Sequence, residues 1–312
     1  MPSKAYFNYQ LDSRNWSHIE LRHGDVIVAT APKVGSTWTL RLILTLIHGG
    51  ELPAPVNMLA PWIDARFLPV PIEAVRAAFS EQDFRRVARS HLPFDALPFN
   101  PSVFYVCVGR DPRDVVLSLH NHYSSFTDPA IARLNAPPGT FAVEFARPGP
   151  DIHKFIREWL TQGNPCLPWE GDGFPSWSLF RQISSFWAYR ELPNVLLVHY
   201  DDLLKDLAGE AARISRFLGI DATPERIGII KQRCSFEAMR ENGENDNPNL
   251  PAMLRGGART FFNKGVSGRW KDVFTPEELE LYHAAVARNL SPDCARWLEQ
   301  GRIASGIDPS VV

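Results

Sequence analysis

The run DVIVATAPKVGSTWTLRLILTLIHGG at positions 25–50 constrains this chain more than any other stretch. Val26 to Ala29 form a short, uninterrupted apolar segment with the β-branched character of a strand buried on both faces. The loop PKVGST follows, and then an amphipathic run closed by Gly49 and Gly50. The order reads strand, anion-binding loop, helix. Gly35, Ser36 and Thr37 open the helix with unpaired backbone N–H groups, and such a start attracts phosphate-like anions. A Walker loop would place the lysine directly after a second glycine, whereas Lys33 precedes Gly35 by two positions. A glycine turn with a solvated lysine is therefore the plain alternative.

Three more apolar runs, at 86–90, 103–109 and 195–200, join the one at 25–31 as expected strands. Helical patterns at 37–48, 111–123, 152–160, 177–191 and 209–218 lie between and after them. This alternation predicts an α/β fold with a central parallel sheet flanked by helices. Ligands of such sheets bind at the carboxyl ends of the strands, where the strand order reverses. A length of 312 residues suits one domain over 1–312, with its core at 25–290. Segments 127–150 and 241–260, rich in Pro and Ala or in Asn and Gly, fit no regular element. They are expected to be lid or acceptor loops, with disordered insertion as the alternative.

Charge excludes some partners. The formal net charge of −2 gives no bulk attraction to nucleic acid or to an anionic membrane, so an anion site must be built locally. Cys107, Cys166, Cys234 and Cys294 lack metal-ligand spacing and are expected as reduced thiols, Cys107 in the core. No signal-peptide core and no run of about eighteen apolar residues occurs, so a cytoplasmic, soluble chain is expected.

Two further segments carry anion chemistry. Arg110 ends the strand VFYVCVG, Asp111 and Pro112 suit the cap and first position of a helix, and Ser118 lies two turns in. Arg110 and Ser118 can hold one phosphate, although an ion pair of Arg110 with Asp111 or Asp114 and a solvated Ser118 remain open. Near the carboxyl end, FFNKGVSGRWK alternates Gly265 and Gly268 with Lys264, Arg269 and Lys271, which suits a loop folded over a phosphate-bearing nucleotide.

Together these segments resemble the cytosolic-type sulfotransferases, which use 3′-phosphoadenosine 5′-phosphosulfate (PAPS). APKVGSTW is similar to the family's 5′-phosphosulfate loop, FYVCVGRDPRDVVLS to its 3′-phosphate strand and helix, and FFNKGVSGRWK to its RKGxxGDWK loop. SHLP at Ser90 to Pro93 resembles THLP, whose histidine is the family's base. The resemblance implies a P-loop-NTPase-like sulfotransferase fold and a bacterial member of the family. It implies that Lys33, Gly35, Ser36, Thr37 and Trp38 hold the 5′ end of the donor, with Trp38 also stacking on adenine. Arg110 and Ser118 then bind the 3′-phosphate, and Asn263, Lys264 and Gly265 close over it. Tyr200 lies near the adenine and Phe236 stacks on its other face. Asn263 stands where the family has arginine, so Arg259 or Arg269 is expected to compensate.

The catalytic set implied is His91, Lys33, Ser118 and Arg89. A neutral imidazole can take the proton of an acceptor hydroxyl, and a cation can stabilise the oxygen that leaves sulfur. The resemblance adds that Ser118 restrains Lys33 until an acceptor arrives, and that no metal is required. His48, His120 and His122 fall on helices and are expected to be structural. The function implied is transfer of sulfonate from PAPS to a phenol, alcohol or amine of a small molecule, leaving adenosine 3′,5′-bisphosphate (PAP). An ATP-dependent small-molecule kinase and a noncatalytic PAP-binding module are the alternatives. Tyr6, Phe7, Tyr9, Trp16, Phe126, Phe141, Trp169, Phe174 and Trp177 are expected to line an apolar acceptor pocket, or else to pack. Lys271, Thr275 and Glu280 resemble the family's dimer segment and allow a homodimer, with Pro276 removing one backbone donor there.

Overall fold

Four strands pair into one all-parallel sheet: β1 (Val26–Ala29), β2 (Val87–Ser90), β3 (Phe104–Gly109) and β4 (Val195–His199). The structure is a computed structural model that describes residues 4–68 and 70–311, so the outermost positions of the expected 1–312 domain lie outside the described residues. The spatial order is β2-β1-β3-β4, with Val26 level with Val87 on one side and Phe104 on the other. The chain leaves β1 for β2 and then returns to β3 on the opposite side. The strand order thus reverses at β1, which opens a crevice beyond its carboxyl end.

Every residue of β1 and β4 is buried, in keeping with a sheet covered on both faces. Helix α1 (Ser36–His48) follows β1 and ends on Gly49 in the left-handed region. Helix α2 (Pro112–Ser124) follows β3, with Asp111 accepting from the Arg113 N–H and Pro112 in the first turn, as the sequence predicts. The expected helix at 177–191 is shorter, Leu179–Trp187, because Ser178 caps it through the Arg181 N–H. Thr275 and Glu278 form a reciprocal capping box, so Pro276 occupies a first-turn position that needs no donor.

The two segments expected to lack regular structure correct that reading. Asp128–Leu134 is a helix, started by Thr127 accepting from the Ala130 N–H. Gly243–Asp246, Leu250–Met253 and Gly257–Phe261 are single helical turns within the second segment. Turns of four or five residues leave no periodic apolar trace to read. The four cysteines are free, with Cys107, Cys234 and Cys294 buried. Among the described residues no helix is long and apolar enough to cross a membrane.

Candidate active site

Each strand delivers one side chain at its carboxyl end. Lys33 follows β1 by four positions, whereas His91, Arg110 and Tyr200 directly follow β2, β3 and β4. These four share one cavity of about 640 Å³ with Gly35, Ser36, Thr37, Trp38, Arg89, Ser118, Phe236, Asn263, Lys264 and Gly265. Residues from six separate segments of sequence therefore converge on a single chamber.

The loop after β1 is a backbone cradle. Lys33 has φ 66° and Gly35 φ 107°, both in the left-handed region that lets successive N–H groups point to one side. A Cβ at Gly35 would lie 2.9 Å from the Tyr200 ring, so the close approach requires glycine. Trp38 donates its indole N–H to the Cys234 carbonyl at 2.7 Å and meets Tyr200 edge-on at 5.5 Å. Lys33 Nζ donates to the Phe261 carbonyl at 3.3 Å and sits 4.1 Å from the centre of that ring. Lys33 thus contacts Phe261, and no hydrogen bond joins it to Ser118 among the described residues. Burial, with Arg110 and Arg89 nearby, pushes the Lys33 ammonium down to about 7.

Arg110 is not the ion pair left open by the sequence. Asp111 is taken by Arg113 through two bonds of 2.9 Å, and Asp114 accepts from the N–H groups of Gly268 at 2.6 Å and Trp270 at 3.3 Å. Arg110 instead donates to the carbonyls of Lys33 at 3.0 Å and Val266 at 3.4 Å, and lies over the Tyr200 ring. Its Nε is buried with no hydrogen-bond partner among the described residues. A buried guanidinium that still has donors to satisfy fits an anion. A Cβ on Gly265 would fall 2.5 Å from Phe236, so the late loop packs its backbone onto that ring. Of the two arginines that could replace the one missing at Asn263, Arg269 borders the cavity and Arg259 is exposed.

His91 is held from three sides. Its Nδ1 lies 2.5 Å from the Thr30 carbonyl, which can only accept, so Nδ1 carries the proton and Nε2 the lone pair. Nε2 is 3.1 Å from an Arg89 nitrogen, and the His91 backbone N–H donates to Asp64 Oδ2 at 3.1 Å. Burial and the Arg89 charge hold His91 well below the usual imidazole range, against an upward pull from the Thr30 carbonyl. The ring is neutral at pH 7 with an accepting nitrogen facing the chamber. Asp64 behind it is pushed up to about 7 by burial, although the His91 N–H, its own N–H and Ser90 pull it down.

The acceptor half corrects the aromatic expectation. Of the nine aromatics named from the sequence, only Phe126 borders the cavity. Tyr9 packs edge-on against Phe141 and Phe145, Tyr6 meets Trp169, and Trp177 lies behind His91. The wall is built instead by Val56, Met58, Trp62, Phe67, Leu68, Val70 and Val75, which the sequence did not single out. Met58 and Val70 are exposed at its rim. Trp62 meets the His91 ring edge-on at 4.5 Å and stacks under the Arg89 guanidinium. From 127–150 only Arg133 reaches this cavity, whereas 241–260 contributes Asp246 to Asn249 and Met253. His122, expected to be structural, also faces the chamber. Its spacing of one helical turn from Ser118 was the available signal.

The chain matches the model of the sulfotransferase domain over residues 23–292. A glycolipid sulfotransferase of Mycobacterium bovis is 33% identical, over 98% of this chain and 96% of the relative. Human sulfotransferase 2B1 is 31% identical over 87% of this chain and 67% of its own length. Among solved structures, retinol dehydratase in complex with retinol and PAP superimposes with a TM-score of 0.68 at 23% identity, covering 90% of this chain and 85% of that one. A mouse sulfotransferase complexed with PAP gives 0.68 at 20% identity, covering 95% of both chains.

Proposed function

Because the chain belongs to the sulfotransferase-domain family, we propose that its cavity transfers sulfonate from PAPS to a hydroxyl of an acceptor with an apolar body. One observation carries this reading: a neutral histidine and six basic side chains, Lys33, Arg89, Arg110, Arg133, Lys264 and Arg269, line one chamber together with an apolar wall. When bound, PAPS supplies a sulfonate whose sulfur takes the acceptor oxygen while its bond to the phosphate-bridging oxygen breaks, leaving PAP.

The chain's own residues do the rest. The cradle at Lys33 to Thr37 offers N–H donors to the 5′-phosphate, and Arg110 with Ser118 and Arg269 takes the 3′-phosphate. Trp38, Tyr200 and Phe236 supply faces for the adenine, with Asn263, Lys264 and Gly265 closing above. Arg89 yields Nε2 of His91 to the incoming hydroxyl, and Nε2 takes its proton as oxygen attacks. General-base assistance of this kind contributes typically about 10²–10⁴-fold. Lys33 leaves Phe261 for the departing oxygen and holds its charge against the negative charge gathering there. The Val56 to Val75 wall supports an acceptor with a hydrocarbon portion, in line with the glycolipid in the mycobacterial relative's name.

Incubation with sulfur-labelled PAPS and a panel of alkylphenols, long-chain alcohols and alkyl glycosides tests the reading. Label appearing on an acceptor together with PAP supports it. Phosphate transfer from ATP–magnesium would establish a kinase, and PAP binding without transfer to any acceptor a noncatalytic module.

A further inference from the structure

His122 is a second imidazole in the acceptor chamber that the transfer chemistry does not use. It lies one helical turn beyond Ser118 on α2, and both border the cavity. Its ring meets Phe126 edge-on at 4.9 Å and Phe261 at 6.0 Å, and Phe261 is the ring on which Lys33 rests. This places His122 beside the point where sulfonate and acceptor must meet. Its Nδ1 is buried with no hydrogen-bond partner among the described residues. A buried polar atom without a partner costs stability unless something in the chamber pairs with it. Burial and the charges of Lys33, Arg89 and His91 hold the ring neutral, so it can donate from one nitrogen and accept at the other. His91 already has its own partners in Thr30 and Arg89. His122 has none of these among the described residues, and the rings around it are Tyr123, Phe126 and Phe261.

We propose that His122 hydrogen-bonds a second polar group of the acceptor, a hydroxyl adjacent to the one presented to His91, and so selects vicinal diols over lone hydroxyls. The inference rests on the sulfotransferase reading of the same cavity. An apolar wall alone discriminates weakly against an added hydroxyl, whereas a site with a buried group to satisfy rejects a ligand lacking the partner. The diol is therefore the favoured acceptor and His122 a specificity residue.

The test compares matched acceptors, 4-hexylcatechol with 4-hexylphenol and 1,2-octanediol with 1-octanol, in wild type, His122→Phe and His122→Gln. Wild type is expected to favour each diol by about tenfold in kcat/KM, mostly through KM, the size of one hydrogen bond to a buried group. His122→Phe is expected to bring the ratio close to one, and His122→Gln, which keeps donor and acceptor, to restore most of it. PAP binding by calorimetry reports whether each variant is folded. A ratio in His122→Phe within twofold of the wild-type value, or a wild type with no diol preference, overturns the assignment while leaving the transferase reading intact. Absence of transfer by wild type to every acceptor overturns the transferase reading and this one with it.

Discussion

Lys33 makes donor binding depend on pH in a defined direction. In the free cavity its ammonium ionises near 7, because burial strips its water and Arg110 and Arg89 repel it. A phosphate placed beside it opposes both effects and returns it toward the ordinary lysine value of 10.5. PAP therefore selects the protonated form. With a free-state value of about 7, roughly nine-tenths of free sites are neutral at pH 8, so binding takes up about 0.9 proton there. Apparent affinity is then about tenfold below its low-pH limit, or about 1.4 kcal/mol, and about a hundredfold below it at pH 9. The second ionisation of a phosphate has its midpoint around pH 6 and is about nine-tenths complete by pH 7, and His91 and His122 are held well below the usual imidazole range, so the slope above pH 7 is assigned to Lys33. Calorimetric titration with PAP from pH 6.5 to 9, in buffers of different ionisation enthalpy, measures affinity and proton uptake together. Lys33→Arg, whose charge does not titrate in this range, is expected to flatten the profile. Affinity that is level from pH 7 to 9 in wild type, with no proton uptake, would refute the reasoning.

Other positions give sharper local tests. Gly265→Ala forces a Cβ to 2.5 Å from Phe236 at φ 67°, and is expected to weaken PAP binding and to cost about 1–3 kcal/mol in chemical unfolding; unchanged binding would contradict the packed late loop. Arg110→Gln removes the guanidinium but spares the Asp111–Arg113 pair, so PAP affinity should fall about tenfold or more in a variant that still unfolds cooperatively; equal affinity would remove Arg110 from the donor site. Asp64 is raised by burial to about 7, above its unfolded value near 4, so its contribution to stability is present in full below pH 4 and is lost as pH rises through 7. Asp64→Asn should lack that decline between pH 4 and 7 in thermal unfolding, and the same slope in both proteins would count against it. Val70→Glu puts charge at the exposed rim of the apolar wall, and should raise KM for long-chain acceptors several-fold with little change in kcat; equal KM values would place the tail elsewhere.

How much of this was legible depended on whether the chemistry was local. The loop after β1 reads directly from PKVGSTW, because a backbone cradle needs glycine and a hydroxyl residue at fixed neighbouring positions. Arg110 was legible because it stands directly after the apolar run VFYVCVG, whereas His91 follows the mixed run RVARS and was singled out mainly by the resemblance of SHLP to the family's THLP. The acceptor wall was not. Val56 comes from a single turn, Trp62 from irregular chain and Val75 from the helix Ile72–Ser80, and what joins them is tertiary packing with no common sequence period. Tyr9 and Phe141 look like pocket residues in composition, yet they satisfy each other in the core. His122 was passed over as a helix residue because a face is assigned by its neighbours, and Phe261 lies 139 positions away, by the difference of the two numbers. The short helices at Gly243–Asp246 and Leu250–Met253 escaped because one turn carries no amphipathic pattern.

The central claim is that His91 is the base of a sulfonyl transfer. Single-turnover transfer from labelled PAPS by His91→Ala, with PAP binding measured alongside, tests it most directly. The account predicts transfer slowed by about 10²-fold or more while PAP affinity stays within a few-fold of wild type. Full transfer by the variant would contradict it.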